Sequence, residues 1–452
     1  MNSSSAITFW LTHSNQSALL QRQVNPLSFT NTTNGCQKIQ VDATHSYQPM
    51  EGFGFSLTGG SAYLINQLTS WERDRLLRET FSSENDGIGV SYLRVSIGAS
   101  DLSATTFSYD DMPIGQTDPG LIHFDLNAGD LDLIPVLREI IAINPQIKIM
   151  GTPWSAPPWM KDNNSFVGGS LRSEYYQVYA DYFVRYLRAM RDNGIYIHAL
   201  TLQNEPLNKK NDPSMVMKSA EQADFIKNYL GPALWNAGLQ EVELFCWDHN
   251  CDEKRYPIEV LNILDESNAL NYLAGVAWHL YAGDASSISD VHYLYPEMKM
   301  AFTEQWVGRD GNFAGDLIWH MKNVMVGTIR NWSRVVLEWN LASDPVCRPH
   351  TRGGEPNCVG ALTIDVDGEE KVRRNVSYYV IAHAAKFVCP GSVRISSTSI
   401  DSLPNVAFKT PTGGIVLIVL NATGDQQTFG IQFDERVATT TLAGGSVGTY
   451  VW

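Results

Sequence analysis

The chain has 452 residues, 44% hydrophobic and 18% charged, with a formal net charge of −15 and no block of lysine or arginine. A nucleic-acid partner requires a basic face, so that class is set aside, and the acidity argues against an anionic polysaccharide as ligand. Apolar runs such as Ile415–Leu420 are far too short to cross a bilayer, so no integral membrane segment is expected.

At this length one large domain with a smaller companion is expected. The first segment, Ile7–Ala43, holds short alternating pieces such as Ile7-Thr-Phe-Trp-Leu11 and Lys38-Ile-Gln-Val-Asp42, which read as antiparallel strands. Eight short apolar runs follow: Glu51–Thr58, Val90–Ile97, Ile147–Trp154, Ala199–Glu205, Val242–Trp247, Gly275–Tyr281, Met300–Trp306 and Val335–Asn340. Several are almost continuously apolar, as parallel strands buried on both faces are. Amphipathic stretches alternate with them. Ser173–Asn193 places Tyr176, Tyr179, Ala180, Phe183, Leu187 and Met190 at helical spacing, with Gly194 where a helix would stop. Ala220–Ala237, Phe313–Val326 and Val376–Phe387 are likewise expected to be helices. From about Val393 the chain returns to alternation and turns, as in Gly414-Ile-Val-Leu-Ile-Val-Leu-Asn421.

Strand–helix alternation repeated eight times predicts an α/β fold, a (β/α)8 barrel over residues 46–388. Residues 1–45 and 389–452 are expected to build one side β-sandwich from both termini, because neither has enough strands to bury its own apolar face. Six cysteines lack metal-ligand spacing. The pairs Cys246/Cys251 and Cys347/Cys358 allow one or two bridges in an oxidising compartment and equally allow free thiols. Met1-Asn-Ser-Ser-Ser5 has no signal-peptide pattern. That fits a cytoplasmic protein or a leader no longer attached, and we expect a secreted or periplasmic monomer. Sequons at Asn31, Asn163, Asn331, Asn375 and Asn421 matter only in a eukaryotic secreted protein.

In a β/α barrel the reacting groups lie at the C-terminal strand ends. Those ends carry Arg94 to Asp101, Trp154 to Trp159, Asn204-Glu205-Pro206, Trp278-His-Leu-Tyr281, Thr303-Glu304-Gln-Trp306 and Glu338-Trp339-Asn340. Carboxylates, amides and aromatic rings on one rim suit a sugar. Cleavage of a glycosidic bond needs one protonated and one ionised carboxyl group on opposite sides of the ring. Glu205 and Glu304, on the fourth and seventh strands, face each other across the expected mouth. A non-catalytic carbohydrate-binding barrel or a scaffold would require neither. No metal cluster is visible and no cofactor is expected.

The pair Asn204-Glu205-Pro206 and Thr303-Glu304-Gln305 resembles the clan A glycoside hydrolases. Gly52-Phe-Gly54, Thr152-Pro-Trp-Ser-Ala-Pro-Pro-Trp-Met-Lys161, Trp278-His-Leu-Tyr281 and Glu338-Trp-Asn-Leu-Ala342 resemble, more narrowly, glycoside hydrolase family 30, which includes acid β-glucocerebrosidase and microbial β-1,6-glucanases. The resemblance covers nearly the whole chain. It implies a retaining β-glycosidase in which Glu304 is the nucleophile and Glu205 the general acid/base, their carboxyl groups about 5–5.5 Å apart. It also implies that Asn204 holds the sugar 2-hydroxyl, that Tyr281 orients the nucleophile and Arg94 stabilises its charge, and that Asp101, Trp154 and Trp339 grip the terminal glucose. Arg94 would equally suit a buried ion pair without catalytic part, and His279 a structural hydrogen bond. Glu338 should point away from the cleft, while His249 and Asn250 are placed beside the leaving group by location alone.

Within such a family the absence of an Arg/Lys cluster in the C-terminal region counts against glucuronoxylan. The loops Lys161–Gly169, Leu207–Met217 and Ala282–Asp290 are mostly polar, which counts against a ceramide. Phe53-Gly-Phe-Ser-Leu-Thr-Gly-Gly60 stands closer to the bacterial β-1,6-glucanase-like branch. The expected substrate is β-1,6-glucan, with glucosylceramidase and exo-acting β-glucosidase or β-xylosidase activity as alternatives.

Overall fold

The computed structural model describes residues 6–31, 35–129 and 131–452. Met1–Ser5, and Thr32 and Thr33 of the first sequon, lie outside the described residues. Eight strands close into a barrel: β1 Gly52–Ser56, β2 Tyr92–Ile97, β3 Lys148–Pro153, β4 Ala199–Thr201, β5 Glu243–Asn250, β6 Gly275–His279, β7 Lys299–Glu304 and β8 Ser333–Asn340. Each pairs in parallel with its neighbours, and β8 returns to β1. Each falls on one of the apolar runs read from the sequence.

The barrel interior is filled by one side chain from most strands: Tyr92, Met150, Ala199, Phe245, Ala277, Ala301, and Val335 with Leu337. Side chains on a strand alternate faces, so the residue two further on also points inward, one layer nearer the mouth. That step gives Arg94, Thr152, Thr201, His279, Thr303 and Trp339, a polar layer on an apolar plug. Strand β5 breaks the count. Its pairing with β6 shifts register between Ala277 and Trp278, and Trp247 and Asp248 adopt positive φ (71° and 66°). The extra residue of this bulge puts Asp248, not Trp247, into the polar layer.

The second unit is a ten-stranded sheet drawn from both chain ends. Ala6–Thr12 pairs with Val447–Val451, and Lys38–Pro49 lies between Val393–Ser397 and Gln427–Phe433. Pairing of Lys38–Pro49 reaches Pro49, beyond the expected boundary at 45, because this strand leads almost directly into β1. Alternation explains why Ile415–Leu420 is apolar throughout. Val416, Ile418 and Leu420 belong to the core cluster of the barrel and its helices, while Ile415, Leu417 and Val419 pack with Ile7, Ile39, Val41, Phe429 and Ile431.

Helix Tyr176–Asp192 buries the face read from its spacing, and Gly194 follows at φ +79°, which a non-glycine residue reaches only with strain. Two expected helices are not regular. Ala220–Ala237 becomes helix Ser219–Phe225, a π-turn Ile226–Leu230 and helix Gly231–Asn236. Pro232 has no N–H to close the α-helical register there. Phe313–Val326 likewise passes from helix Phe313–Trp319 into a π-segment His320–Thr328. His320 turns inward at that point, and its Nδ1 lies 2.7 Å from Glu338 Oε1. Glu338 thus faces the helix layer. Cys246, Cys251, Cys347 and Cys358 are buried thiols, and neither sequence-adjacent pair is bridged. Asn421 is wholly buried, its amide donating to Asp425, Leu442 and Ala443 carbonyls, which removes it as a glycan acceptor.

Leu417 is fully buried in the sheet assembled from both termini. Leu417→Ala is expected to lower the unfolding free energy by about 2–5 kcal/mol in denaturant titration; a loss under about 0.5 kcal/mol would contradict this packing.

Candidate active site

The mouth of the barrel opens into a cavity of about 200 Å³ lined by Asp101, Trp154, Glu205, Tyr281, Glu304 and Trp339, joined by Asn208, Asn211, Trp306 and Glu355. Arg94, Asn204 and His279 lie beneath it, each buried. The structure therefore gathers every site residue read from the sequence, six on the cavity wall and three in the floor.

The floor is organised by Arg94. Its Nη1 donates to Glu304 Oε2 at 2.6 Å, its Nη2 to Asn204 Oδ1 at 2.7 Å and Asp248 Oδ2 at 2.9 Å, and its Nε to Thr152 Oγ1 at 3.2 Å. The guanidinium carbon stands 4.7 Å from the Trp154 ring centre and 5.5 Å from that of Trp339. These two rings stack at 5.3 Å. Tyr281 Oη donates to the other oxygen of Glu304 at 2.9 Å. Arg94 is thus the ion-pair partner of both Asp248 and Glu304.

Asp248 does not stand out in the sequence, because strict alternation from Phe245 points Trp247 inward. Its carboxylate accepts from Arg94, Thr201 and Thr303, the last two at 2.6 Å, and meets His279 Nε2 at 3.1 Å. Asn208 is visible in the sequence only as part of a polar loop; its Nδ2 donates to Glu205 Oε2 at 2.7 Å. His249, placed near the leaving group by position, has Nε2 3.8 Å from Glu205 Oε1. Asn250 instead accepts the Tyr281 backbone N–H. Glu205 itself takes φ +45°, a left-handed turn braced by its N–H donating to the Asp248 carbonyl.

His279 Nδ1 stands between the two glutamates, 3.5 Å from Glu205 Oε1 and 3.7 Å from Glu304 Oε1. One oxygen from each glutamate and a His279 nitrogen all fall within 4.8 Å of one another. A metal ion would have to displace the bonds Glu304 already accepts from Arg94 and Tyr281 and the proton on His279. Burial opposes charge on His279, but Glu304, Asp248 and Glu205 lift its pKa to about 9, so it is protonated at neutral pH. Burial would raise Glu205, but contact with His279 and the charge of His249 bring it down to about 2. For Glu304 burial prevails and raises the carboxyl despite His279 and Arg94. That order is the reverse of a simple acid and nucleophile, and the hydrogen bonds weigh against reading roles from it. Glu304 accepts two close donors that favour its ionised form, while the His279 contact to Glu205 is long and leaves Nδ1 without a hydrogen-bond partner. The three groups titrate as one unit. Asp101, buried and facing both glutamates, is pushed up to about 7.

Against known proteins, residues 50–388 match the glycosyl hydrolase family 30 TIM-barrel domain and residues 391–450 the family 30 beta sandwich domain. The chain belongs to glycoside hydrolase family 30. It is 32% identical to an endo-1,6-beta-D-glucanase of Trichoderma harzianum, covering 86% of this chain and 81% of the relative. It is 35% identical to the endo-1,6-beta-D-glucanase of Neurospora crassa, covering 81% and 76%. The solved endo-beta1,6-glucanase BT3312 superposes with a TM-score of 0.90 at 34% identity, covering 99% of each chain. This family 30 chain is therefore a glycoside hydrolase.

The folded-state pKa of His279, about 9, lies above the ordinary value of 6.5. Its contribution to stability is complete below about pH 6.5 and is lost as pH rises through about 9. Unfolding temperature followed between about pH 6 and about pH 10 should fall more steeply for the wild type than for His279→Gln; parallel profiles would show that His279 is not the protonated group.

Proposed function

We propose that this enzyme hydrolyses β-1,6-linked glucan with retention of configuration, Glu304 being the nucleophile and Glu205 the general acid/base. The observation that carries the mechanism is the spacing of the two glutamates, an oxygen of one within 4.8 Å of an oxygen of the other. Retaining pairs stand about 5–5.5 Å apart, whereas inverting pairs stand about 6.5–9.5 Å apart to admit a water. The likeness to endo-1,6-β-D-glucanases over almost the whole chain supports the linkage. The polar loops at the mouth agree with it: in Lys161–Gly169, Leu207–Met217 and Ala282–Asp290 the exposed large apolar side chains are Val167 and Leu207.

In this reading Arg94 and Tyr281 hold Glu304 ionised and aimed at the anomeric carbon. Asn204 has its Oδ1 committed to Arg94, which turns its amide N–H toward the sugar 2-hydroxyl. The stacked rings of Trp154 and Trp339 lie under the glucose, and Asp101 receives its hydroxyls. A sugar filling the cleft removes the water that solvates the Glu205 carboxylate, so Glu205 takes up a proton from solvent. It donates that proton to the departing oxygen as Glu304 forms the glycosyl ester, and then removes a proton from the water that cleaves the ester. The enzyme acts as a secreted or periplasmic monomer.

Digestion of a linear β-1,6-glucan monitored by proton NMR should release β-anomers first, mutarotating later; α-anomers at the outset would refute retention. Glu304→Ala should abolish turnover of every β-glycoside. Glu205→Ala should lose about 10²–10⁴-fold with a sugar leaving group but much less with an activated phenol. Azide should restore the second step in Glu205→Ala and give a β-glycosyl azide. Equal losses on sugar and phenol substrates would remove Glu205 from the acid role.

A further inference from the structure

The turn that presents Glu205 also carries a donor for it. Pro206 fixes φ at the second position of the turn, and Asn208 N closes it by donating to the Glu205 carbonyl at 2.8 Å. The Asn208 side chain, half-buried on the wall of the cavity, folds back over this turn. Its Oδ1 accepts the Lys210 N–H at 3.0 Å, and its Nδ2 donates to Glu205 Oε2 at 2.7 Å. A backbone N–H can only donate. Lys210 therefore settles which end of the amide is oxygen, and the nitrogen is left facing the carboxyl group.

The two oxygens of Glu205 are thus unlike. Oε2 has the short bond from Asn208. Oε1 has longer contacts, 3.5 Å to His279 Nδ1 and 3.8 Å to His249 Nε2, and the same His279 nitrogen lies 3.7 Å from Glu304 Oε1. An amide N–H cannot accept, and a carbonyl oxygen accepts better than a carboxylic hydroxyl. When Glu205 is protonated, Oε2 therefore stays the carbonyl and the proton sits on Oε1. Burial raises the Glu205 carboxyl, and the contacts with His279, His249 and Asn208 lower it. Glu304, Asp101 and Tyr281 feel its charge from the same cavity, and Lys209 and Lys210 stand exposed on its own loop. An exchange at Asn208 leaves all of these in place.

We infer that Asn208 is the positioning residue of the acid/base: it fixes the rotation of the Glu205 carboxyl group and keeps the transferable proton on Oε1, the oxygen that shares His279 with Glu304. This rests on the reading of Glu205 as general acid/base and deepens it. In the first step the proton passes from Oε1 to the departing oxygen as its bond to the anomeric carbon breaks and Glu304 takes its place. In the second step Oε1 removes a proton from the attacking water. Asn208 stays on Oε2 throughout. As a donor that favours the ionised carboxylate, it also makes Glu205 a stronger acid.

The test uses Asn208→Ala, which deletes the donor, and the nearly isosteric Asn208→Asp, which keeps an acceptor for Lys210 but sets a carboxylate against Glu205. For each, kcat/KM is measured across pH on linear β-1,6-glucan, whose leaving group is a sugar, and on an aryl β-glycoside with an activated phenol. Asn208→Ala should lose about tenfold or more on the glucan and much less on the aryl substrate, since the sugar is the leaving group that needs the proton. Loss of a donor to the ionised form raises the pKa of the acid. The alkaline limb of kcat/KM on the glucan should therefore move up by about half a unit or more, and further in Asn208→Asp. Equal losses on both substrates, an unmoved alkaline limb, or no loss at all would overturn the inference, because a merely structural role lowers both substrates together and leaves the limb in place. Glu205→Ala measured alongside separates the two readings. If it loses both substrates equally, the acid/base assignment falls and this inference with it. If it shows the leaving-group split and the Asn208 variants do not, this inference falls alone.

Discussion

The site is held by one buried guanidinium. Arg94 is wholly inaccessible, and removing such a cation from water costs several kcal/mol unless its donors are all met. Here four of its five N–H groups have acceptors and its faces lie on two rings, and most of these groups serve a second purpose. Glu304 is the proposed nucleophile, Asn204 precedes the proposed acid/base, Asp248 anchors His279, and the two tryptophan rings form a wall of the cleft. The planar, forked donor set explains the choice of arginine. A lysine could neither reach Thr152, Glu304, Asn204 and Asp248 together nor stack on the indoles. Positions on β2, β3, β4, β5 and β7 are thereby tied to one another through a single side chain.

That network also sustains strain. Glu205, Trp247 and Asp248 all have positive φ, and backbone in that region costs a non-glycine residue about 1–3 kcal/mol. The strained segments support each other, since the Glu205 N–H donates to the Asp248 carbonyl. The bulge in β5 brings in one of the two counter-ions of Arg94, and its carbonyl fixes the turn that carries Glu205. A regular β5 would put Trp247 inward, leaving Arg94 with Glu304 as its one carboxylate and Glu205 without its brace.

This explains which parts are legible in the sequence. The eight barrel strands stand out because strands buried on both faces are continuously apolar, and Arg94, His279, Thr303 and Trp339 follow from a two-residue step above interior side chains. Asp248 escapes because the bulge breaks that step, and nothing in Trp247-Asp248-His249-Asn250 announces an added residue. Asn208 and Glu355 escape for another reason. They come from loops after β4 and β8, which converge only once the barrel has closed. The irregular helices are also hidden, although Pro232 inside one of them is a signal. The terminal strands are legible as strands, and their meeting in one sheet follows from the apolar faces each has left to cover.

Charge balance within the network gives a physical reason for the proposed division of labour between the glutamates. Arg94 and protonated His279 supply two positive charges, and Asp248 and ionised Glu304 supply two negative ones. A third carboxylate in that enclosure would be uncompensated once a sugar has expelled the water, so the proton belongs on Glu205, which has no arginine. In the proposed mechanism Glu304 loses its charge on becoming an ester, and Glu205, having given up its proton, takes over the balance against Arg94 and His279. The total stays the same across the step although the charge has moved from β7 to the end of β4. A network that is neutral both before and after bond cleavage needs little reorganisation as the reaction proceeds, which is the condition under which fixed dipoles and charges lower a barrier most. It also gives His279 a part without proton transfer: held by Asp248 and placed between the two glutamates, it offers the same positive charge to whichever of them is ionised.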